Sequence, residues 1–338
     1  MAESFDYDAF TPKIAVVGVG GQGCNLVNRL FVSGIKSAHT IAMNTDFAHL
    51  NMIKAHKKLL LGSAITQGLG SGGFPEVAAK AADMSKGDIA EALDGFNLVF
   101  ISAGMGGGTG TGAAPIIARA AREAGATVIA TVTYPFSLER VRKVKAEWGI
   151  EQLSKEADAV IVVENDKLLS YVPNLPMEKA FELADMITGN AVKGIADTIM
   201  FPSLINLDFA DLRTVVKNTG TAVISIGTGS GPDRAEQVIR SARTHPLLSV
   251  DYDDARGAMV HVSGGQDLSI KDATRIGEGV TEGLAPNANV IFGAKLIPEL
   301  RDQIRVMCVV TGVKARFGER RLQERAPALR IESVEKIF

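Results

Sequence analysis

Two cysteines in 338 residues, Cys24 and Cys308, are too few for a disulfide framework or a four-cysteine zinc site, and such usage fits a reducing compartment. The five histidines are scattered, with no H-E-x-x-H or C-x-x-C spacing to make a local metal motif. No apolar run approaches the ~20 residues that span a bilayer. The opening MAESFDYDAF is acidic, where a secretion signal is positive and then apolar. A cytoplasmic protein is expected. Charge of one sign is also missing: 36 Lys and Arg stand against 38 Asp and Glu, a formal net of -2, so no overall field draws nucleic acid or anionic lipid. At 46% hydrophobic and 22% charged the chain is neither disordered nor fibrous. Its length exceeds what one core usually serves, so two domains are expected. What it has in excess is glycine, 35 residues or roughly a tenth, against a usual ~7%.

After a polar arm ending near Pro12, Lys13 to Val17 is an apolar run that stops at glycines, and an apolar-periodic stretch from Cys24 to Phe31 follows. Strand candidates recur at Thr40 to Met43, Asn97 to Ser102, Thr127 to Thr133 and Ala159 to Val163. Between them lie helical stretches at Pro75 to Asp83, Gly112 to Glu123 and Leu138 to Lys155. This alternation predicts a parallel sheet with helices on both faces, whose ligands bind beyond the carboxyl ends of the strands. Pro176 to Met200 carries Phe181, Ala184, Ile187, Ala191, Ile195 and Ile199 at helical spacing, which predicts a buried helix roughly 35 Å long. A second, smaller α/β unit follows, with strands near Thr221 to Ile226, Met259 to Ser263, Val290 to Phe292 and Arg305 to Thr311 and helices near Arg234 to Arg243 and Ile270 to Gly283. From Lys314 the chain loses periodicity and reads as a mobile tail. The expected divisions are an arm at 1–12, a ligand-binding domain at 13–175, a central helix at 176–201, a second domain at 202–313 and the tail at 314–338.

Gly18, Gly20 and Gly23 make G-x-G-x-x-G between a strand and a helix, with Asp46 at the distance of a ribose-binding carboxylate. Taken alone the pattern also fits a merely tight turn, or a dinucleotide-dependent oxidoreductase. Gly104 to Gly112 adds six glycines in nine residues between another strand and helix, which an oxidoreductase does not need. Their N-H groups are free to converge on an anion, Thr109 and Thr111 add hydroxyl donors, and the next helix adds the positive end of its dipole. This is a phosphate cradle, and the absence of G-x-x-x-x-G-K-[ST] separates it from P-loop enzymes. A third stretch, Gly68 to Pro75, either folds over a terminal phosphate or forms a surface loop.

GGGTGTG at Gly106 to Gly112 is the tubulin signature. With GVGGQGCN at Gly18 to Asn25, NTD at Asn44 to Asp46, NDKLL at Asn165 to Leu169 and NLDFADLRTV at Asn206 to Val215, the chain resembles the tubulin/FtsZ family from about Lys13 to Gly312. The resemblance implies an α/β fold with a parallel Rossmann-like GTPase sheet, a long central helix and a smaller second α/β domain. It further implies head-to-tail homopolymers that hold GTP between subunits and serve division, with Mg²⁺ held through phosphates and water rather than by direct protein ligands. The implied nucleotide residues are Gly20, Gly21, Gln22, Gly23, Cys24, Asn25, Asn44, Asp46, Gly70, Gly72, Gly106, Gly107, Gly108, Thr109, Gly110, Thr111 and Gly112. Asn25 and Asn165 correspond to base or sugar contacts and Glu139 to a ribose contact. Arg142 and Lys143 share the place of a family arginine, and which of the two serves is open. Asp185 corresponds to the guanine reader, and Phe181, one turn earlier, to a stacking ring. Asn206, Asp208 and Asp211 form N-x-D-x-x-D in what reads as a loop, and in the family such aspartates complete the site of the neighbouring subunit. Like charge bars them from binding triphosphate in their own chain, while carboxylates can orient an attacking water.

The tail contains Ala326-Pro-Ala-Leu-Arg330, similar to the family peptide that docks on FtsA-like or SepF-like membrane tethers, although it lacks the phenylalanine. The short spacer before it is similar to archaeal members. A CetZ-like scaffold of cell shape is the alternative to a division role.

Overall fold

The computed structural model describes residues 11–166, 176–201, 203–205, 207–217, 219–244 and 255–313. The arm before Thr11, the tail from Lys314, Asn206 and Lys167 to Leu169 lie outside the described residues.

β1 (Ile14–Val19) is apolar throughout and wholly buried. Its alternate side chains enter different cores, Ile14 and Val16 one, Ala15, Val17 and Val19 another. Such a strand is covered on both faces, as its unbroken apolar run requires. The first half continues with α1 (Gly20–Val32), β2 (His39–Asn44), α2 (Phe47–Met52), β3 (Lys57–Leu60), α3 (Ser63–Thr66), α4 (Pro75–Met84) and α5 (Lys86–Leu93). It closes with β4 (Leu98–Gly104), α6 (Thr109–Glu123), β5 (Thr127–Tyr134), α7 (Arg140–Glu156) and β6 (Ala159–Glu164). The strands pair in parallel in the order β3-β2-β1-β4-β5-β6. The chain steps outward from β1 to β3 and then returns to place β4 on the other side, so the topological switch lies between β1 and β4. A crevice is built there at the carboxyl ends of the strands.

α8 (Met177–Met200) buries Ala184, Ala191, Val192, Ile195 and Ala196 and spans roughly 35 Å. It leads to α9 (Phe209–Val216), β7 (Gly220–Ser230), α10 (Arg234–Arg243), β8 (Gly257–Gly264), α11 (Ile270–Thr281), β9 (Asn289–Leu296) and β10 (Gln303–Thr311). β10 pairs antiparallel with both β7 and β8, and β9 lies parallel to β8. The two α/β units share one ten-stranded sheet, joined where β6 pairs with β7 from Ala159↔Gly220 to Ile161↔Ala222. Ala191 and Ile195 of α8 pack with Ile161 on one side of this seam and Ile224, Met307 and Val309 on the other. The opposite face of the second unit is covered by Val238 and Ile239 of α10 and Ile276 and Val280 of α11.

Several boundaries differ from the sequence reading: α1 begins at Gly20 rather than Cys24, so the expected glycine turn is its first turn, and β7 runs on to Ser230 rather than ending at Ile226. α6 begins at Thr109 rather than near Ala113, because Gly112 N donates to Gly108 O at 2.9 Å and closes a turn ahead of Pro115. The paired aspartates do not lie in a loop. Asp208 is the N-cap of α9 and Asp211 its third residue, each side chain accepting from the other's backbone N-H in a capping box.

Candidate nucleotide site

α1 starts directly after β1, and α6 starts after β4 on the neighbouring strand, neither with a side-chain cap. Their first N-H groups lack partners within the helix and, with the positive ends of both dipoles, face the crevice. The two starts touch: a Cβ on Gly20 would lie 2.9 Å from Gly110 N, and Gly20 holds φ +72°. Glycine is needed there for both reasons. Gly21 and Gly107 have open space where a Cβ would stand, which leaves room for an anion against the backbone. Behind them Gly23 packs on Ser102 O, Gly110 on Gly104 O and Gly112 on Pro75 O, too closely for any side chain.

The third glycine stretch is folded onto the second. Gly108 faces Ser71 Oγ, Leu69 bridges to Asp46, and Gly70 and Gly72 turn the chain at φ +85° and +61°. Thr109 Oγ1 lies 2.7 Å from Thr45 Oγ1 and 3.3 Å from Ser71 Oγ, so three hydroxyls gather at the start of α6. Asn44 Oδ1 accepts from Thr45 N at 2.9 Å and Asp46 Oδ1 from His49 N at 3.0 Å, which shapes the turn after β2.

Some expected contacts face inward. Thr111 is fully buried and its Oγ1 accepts from Gly106 N at 2.9 Å, so it holds the loop in shape and does not present its hydroxyl to the crevice. Cys24 is fully buried, its Sγ 3.5 Å from Gly18 O, and burial pushes its thiol up to about 12. Only its backbone is available. Gln22 Oε1 accepts from Thr133 Oγ1 at 2.7 Å, which turns it toward β5.

A second group of residues lies between α1, α7, β6 and the first turns of α8. His49 ties Asn25 to Asn44, donating from Nε2 to Asn25 Oδ1 at 3.2 Å and accepting at Nδ1 from Asn44 Nδ2 at 3.3 Å. Asn165 Oδ1 is buried with no partner among the described residues, an acceptor left for a ligand. The Phe181 ring meets Phe136 edge-on at 5.6 Å and remains 36% exposed, so one face is available for stacking. Asp185 is buried and pairs with Arg29, Nε to Oδ2 3.4 Å. Glu139 is the residue before α7 and accepts from Phe136 N at 3.1 Å and from Arg142 Nη1 at 2.6 Å. The Arg142 backbone lies against Gly106, whose φ is +95°. Lys143 turns instead to Ser137 Oγ at 3.2 Å and to the Tyr134 ring. Arg142 therefore shares a face with Glu139 and the loop, and Lys143 does not. Thr45, Ser71, His49 and Phe136 were not singled out in the sequence, although Thr45 and Ser71 stand inside two of its motifs.

Asp208 and Asp211 follow the far end of α8 from Asp185, with the last fifteen residues of the helix, roughly 23 Å, between them. Exposed Leu204 and Ile205 stand beside these aspartates, and exposed Leu69, Phe74, Leu138 and Val141 stand beside the glycine loops. Exposed apolar side chains thus accompany both the paired aspartates and the glycine loops.

Residues 13–173 match the family described as "Tubulin/FtsZ family, GTPase domain", and residues 220–314 match "FtsZ family, C-terminal domain". The chain belongs to the tubulin/FtsZ family. Its first half is thus a GTPase domain. It is 52% identical over 306 residues to "Cell division protein FtsZ 2" of Methanocaldococcus jannaschii, covering 90% of this chain and 80% of that protein. It superposes on a solved "FtsZ dimer, empty (M. jannaschii)" with a TM-score of 0.85 at 43% identity, covering 91% of this chain and 90% of that one. A GTPγS-bound protofilament of CetZ2 from Haloferax volcanii shares the fold with a TM-score of 0.76 at 23% identity, covering 89% of this chain and 93% of that one. The FtsZ kinship favours an FtsZ-type GTPase over the CetZ-like alternative.

Proposed function

We propose that this chain is a cell-division GTPase that assembles head to tail, binds GTP on its glycine loops and completes hydrolysis with the aspartates of the next subunit. The observation that carries the proposal is topological: α9 leads into the start of β7, which pairs in parallel with the start of β6, whereas the glycine loops follow the carboxyl ends of β1 and β4, so loops and aspartates of one chain lie toward opposite ends of the sheet. A second copy stacked end to end closes that distance, which is a heterologous contact of the kind that builds filaments.

In this reading the N-H groups of Gly20, Gly21, Gln22 and 107–110 and the Thr109 hydroxyl hold the phosphates. Gly70 and Gly72 shape the flap beside the terminal phosphate. Asn25, Asn165, Glu139 and Arg142 hold base and ribose, Phe181 stacks on the base, and ionised Asp185 accepts from the ring N-H and exocyclic amine of guanine. Asp208 and Asp211 of the next subunit orient water for in-line attack on the γ-phosphorus and take up its proton. The bond to the β-phosphate oxygen breaks, leaving GDP and inorganic phosphate. The groups facing the crevice are N-H and hydroxyl donors, and Asp46 is turned to His49. That set fits Mg²⁺ held by phosphate oxygens and water, where the ion supplies charge neutralisation.

The proposed divisions are the arm at 1–12, the nucleotide domain at 13–175, the central helix at 176–201, the aspartate-bearing domain at 202–313 and the tail at 314–338. No described helix is long and apolar enough to cross a membrane. Placement at a division ring beneath the membrane is assigned to the tail and an adaptor of the FtsA or SepF kind. Turnover per subunit, measured with Mg²⁺ against protein concentration alongside light scattering, will rise steeply above the concentration at which scattering appears. A flat turnover across that threshold would overturn the shared site.

A further inference from the structure

Arg29 stands on α1 one turn beyond Asn25, and its Nε reaches Asp185 Oδ2 at 3.4 Å. The Asp185 side chain is 8% exposed, the Arg29 side chain 43%. The pair sits on a cavity of about 420 Å³ between α1 and α8, lined among others by Arg29, Ser33, Lys179, Glu182, Asp185 and Met186. The charged groups around the Asp185 carboxylate are few. Arg29 faces it from α1; on its own helix stand Glu182, which repels it, and Lys179, whose Nζ is held by Glu182 Oε2 at 2.9 Å. His49 of α2 is engaged with Asn25 and Asn44. Arg29 is therefore the cation in contact with Asp185 among the described residues.

We infer that Arg29 is a positioning residue for guanine recognition: it holds Asp185 as an oriented carboxylate inside an otherwise desolvated pocket, without itself touching the base. This rests on Asp185 being the guanine reader. An ionised carboxylate accepts from two donors at once, whereas the protonated acid keeps fewer free acceptor sites and gains a donor that meets guanine's N-H groups head-on. Burial alone drives the group toward that unsuitable form. The monodentate contact through Nε takes one lone pair of Oδ2 and leaves Oδ1 for the ligand. The Asp185 carboxyl is pushed up to about 6, with burial as the chief cause and Arg29 pulling the other way. Affinity that depends on its ionised form therefore falls as pH drops through about 6. Removing Arg29 removes the opposing pull, so the midpoint moves to higher pH.

The test is GDP binding by the full chain, read with a fluorescent GDP analogue below the assembly threshold between pH 5.5 and 8, with the matching ADP analogue as comparator. Arg29→Met keeps the aliphatic stem and removes the charge. It should shift the affinity midpoint up by about one pH unit, which reads as about fivefold weaker GDP binding at pH 6 and almost no loss at pH 8. Arg29→Lys restores a cation and should return the midpoint most of the way, which guards against a fold effect in the first variant. Asp185→Asn should bind GDP weakly, with little pH dependence and a reduced preference over ADP. If Asp185→Asn keeps full affinity and preference, guanine is read elsewhere and the inference falls with that reading. If Asp185→Asn loses affinity while Arg29→Met keeps the wild-type midpoint, the base reading stands and the role of Arg29 is overturned.

Discussion

Thr109 ties three segments together through one hydroxyl. Its contacts with Thr45 Oγ1 and Ser71 Oγ join the end of β2, the third glycine stretch and the start of α6. A hydroxyl suits this place because it both donates and accepts, so the trio could meet the phosphate of the proposed site without leaving an unmatched group. The sequence displays Thr109 through its glycine neighbours, while Thr45 and Ser71 are legible only once the chain is folded, since their partners lie 64 and 38 residues away. Cys24 shows the converse. It sits inside a glycine motif, yet its thiol faces the interior and the carbonyls of Gly18 and Met43, and a motif does not say which of its side chains face the ligand. Burial raises both Cys24 and Cys308 to about 12, so the reactive thiolate is suppressed at neutral pH. Neither thiol should be labelled by maleimide in the native protein at pH 7.5, and both should react in denaturant. Rapid native labelling, quantified by intact mass, would contradict the packing described.

Elements with long periodic patterns are legible before folding. β1 and α8 are examples, because each buries a continuous apolar surface and declares its period over its own length. α2, α3, β3 and α5 were not foreseen. They have 4 to 8 residues each, too few for a period to rise above chance. α9 read as a loop because two carboxylates at its start look like solvated polar residues, when they are in fact its cap. That cap separates two roles of Asp208. Asp208→Ala should destabilise the protein by about 1 kcal/mol through the lost cap and also abolish most turnover. Asp208→Ser keeps a capping oxygen, so its thermal midpoint should return toward wild type while hydrolysis stays low. Recovery of turnover together with stability would show that Asp208 acts only as a cap.

At the scale of the whole molecule the proposed half-sites stand at opposite ends, and the proposed assembly logic follows from that placement. The family motifs announce both halves in the sequence, but their separation is a property of the sheet topology and appears only in three dimensions. Asp211→Asn retains an acceptor for the Asp208 backbone N-H and should bind GTP while turning over at least about a hundredfold more slowly. Gly106→Ala places a side chain against Arg142 at φ +95° and should fail to bind GTP. Each variant alone should be nearly silent. Mixed one to one, the nucleotide end of the first meets the intact aspartates of the second, and phosphate release should recover to roughly a quarter of wild type if pairing is random. No recovery in mixtures that co-assemble by light scattering would place both halves of the site in one chain.

The seam between β6 and β7 also has a mechanical meaning. In the proposed head-to-tail filament, tension would enter at the nucleotide end of each subunit and leave at the aspartate end. Within a subunit that load is carried in parallel by α8 and by three residue pairs, Ala159↔Gly220 to Ile161↔Ala222. In that arrangement a seam so short, backed by a stiff rod, is expected to yield first under shear, and the polymer's compliance would then lie in a strip running through the middle of every subunit.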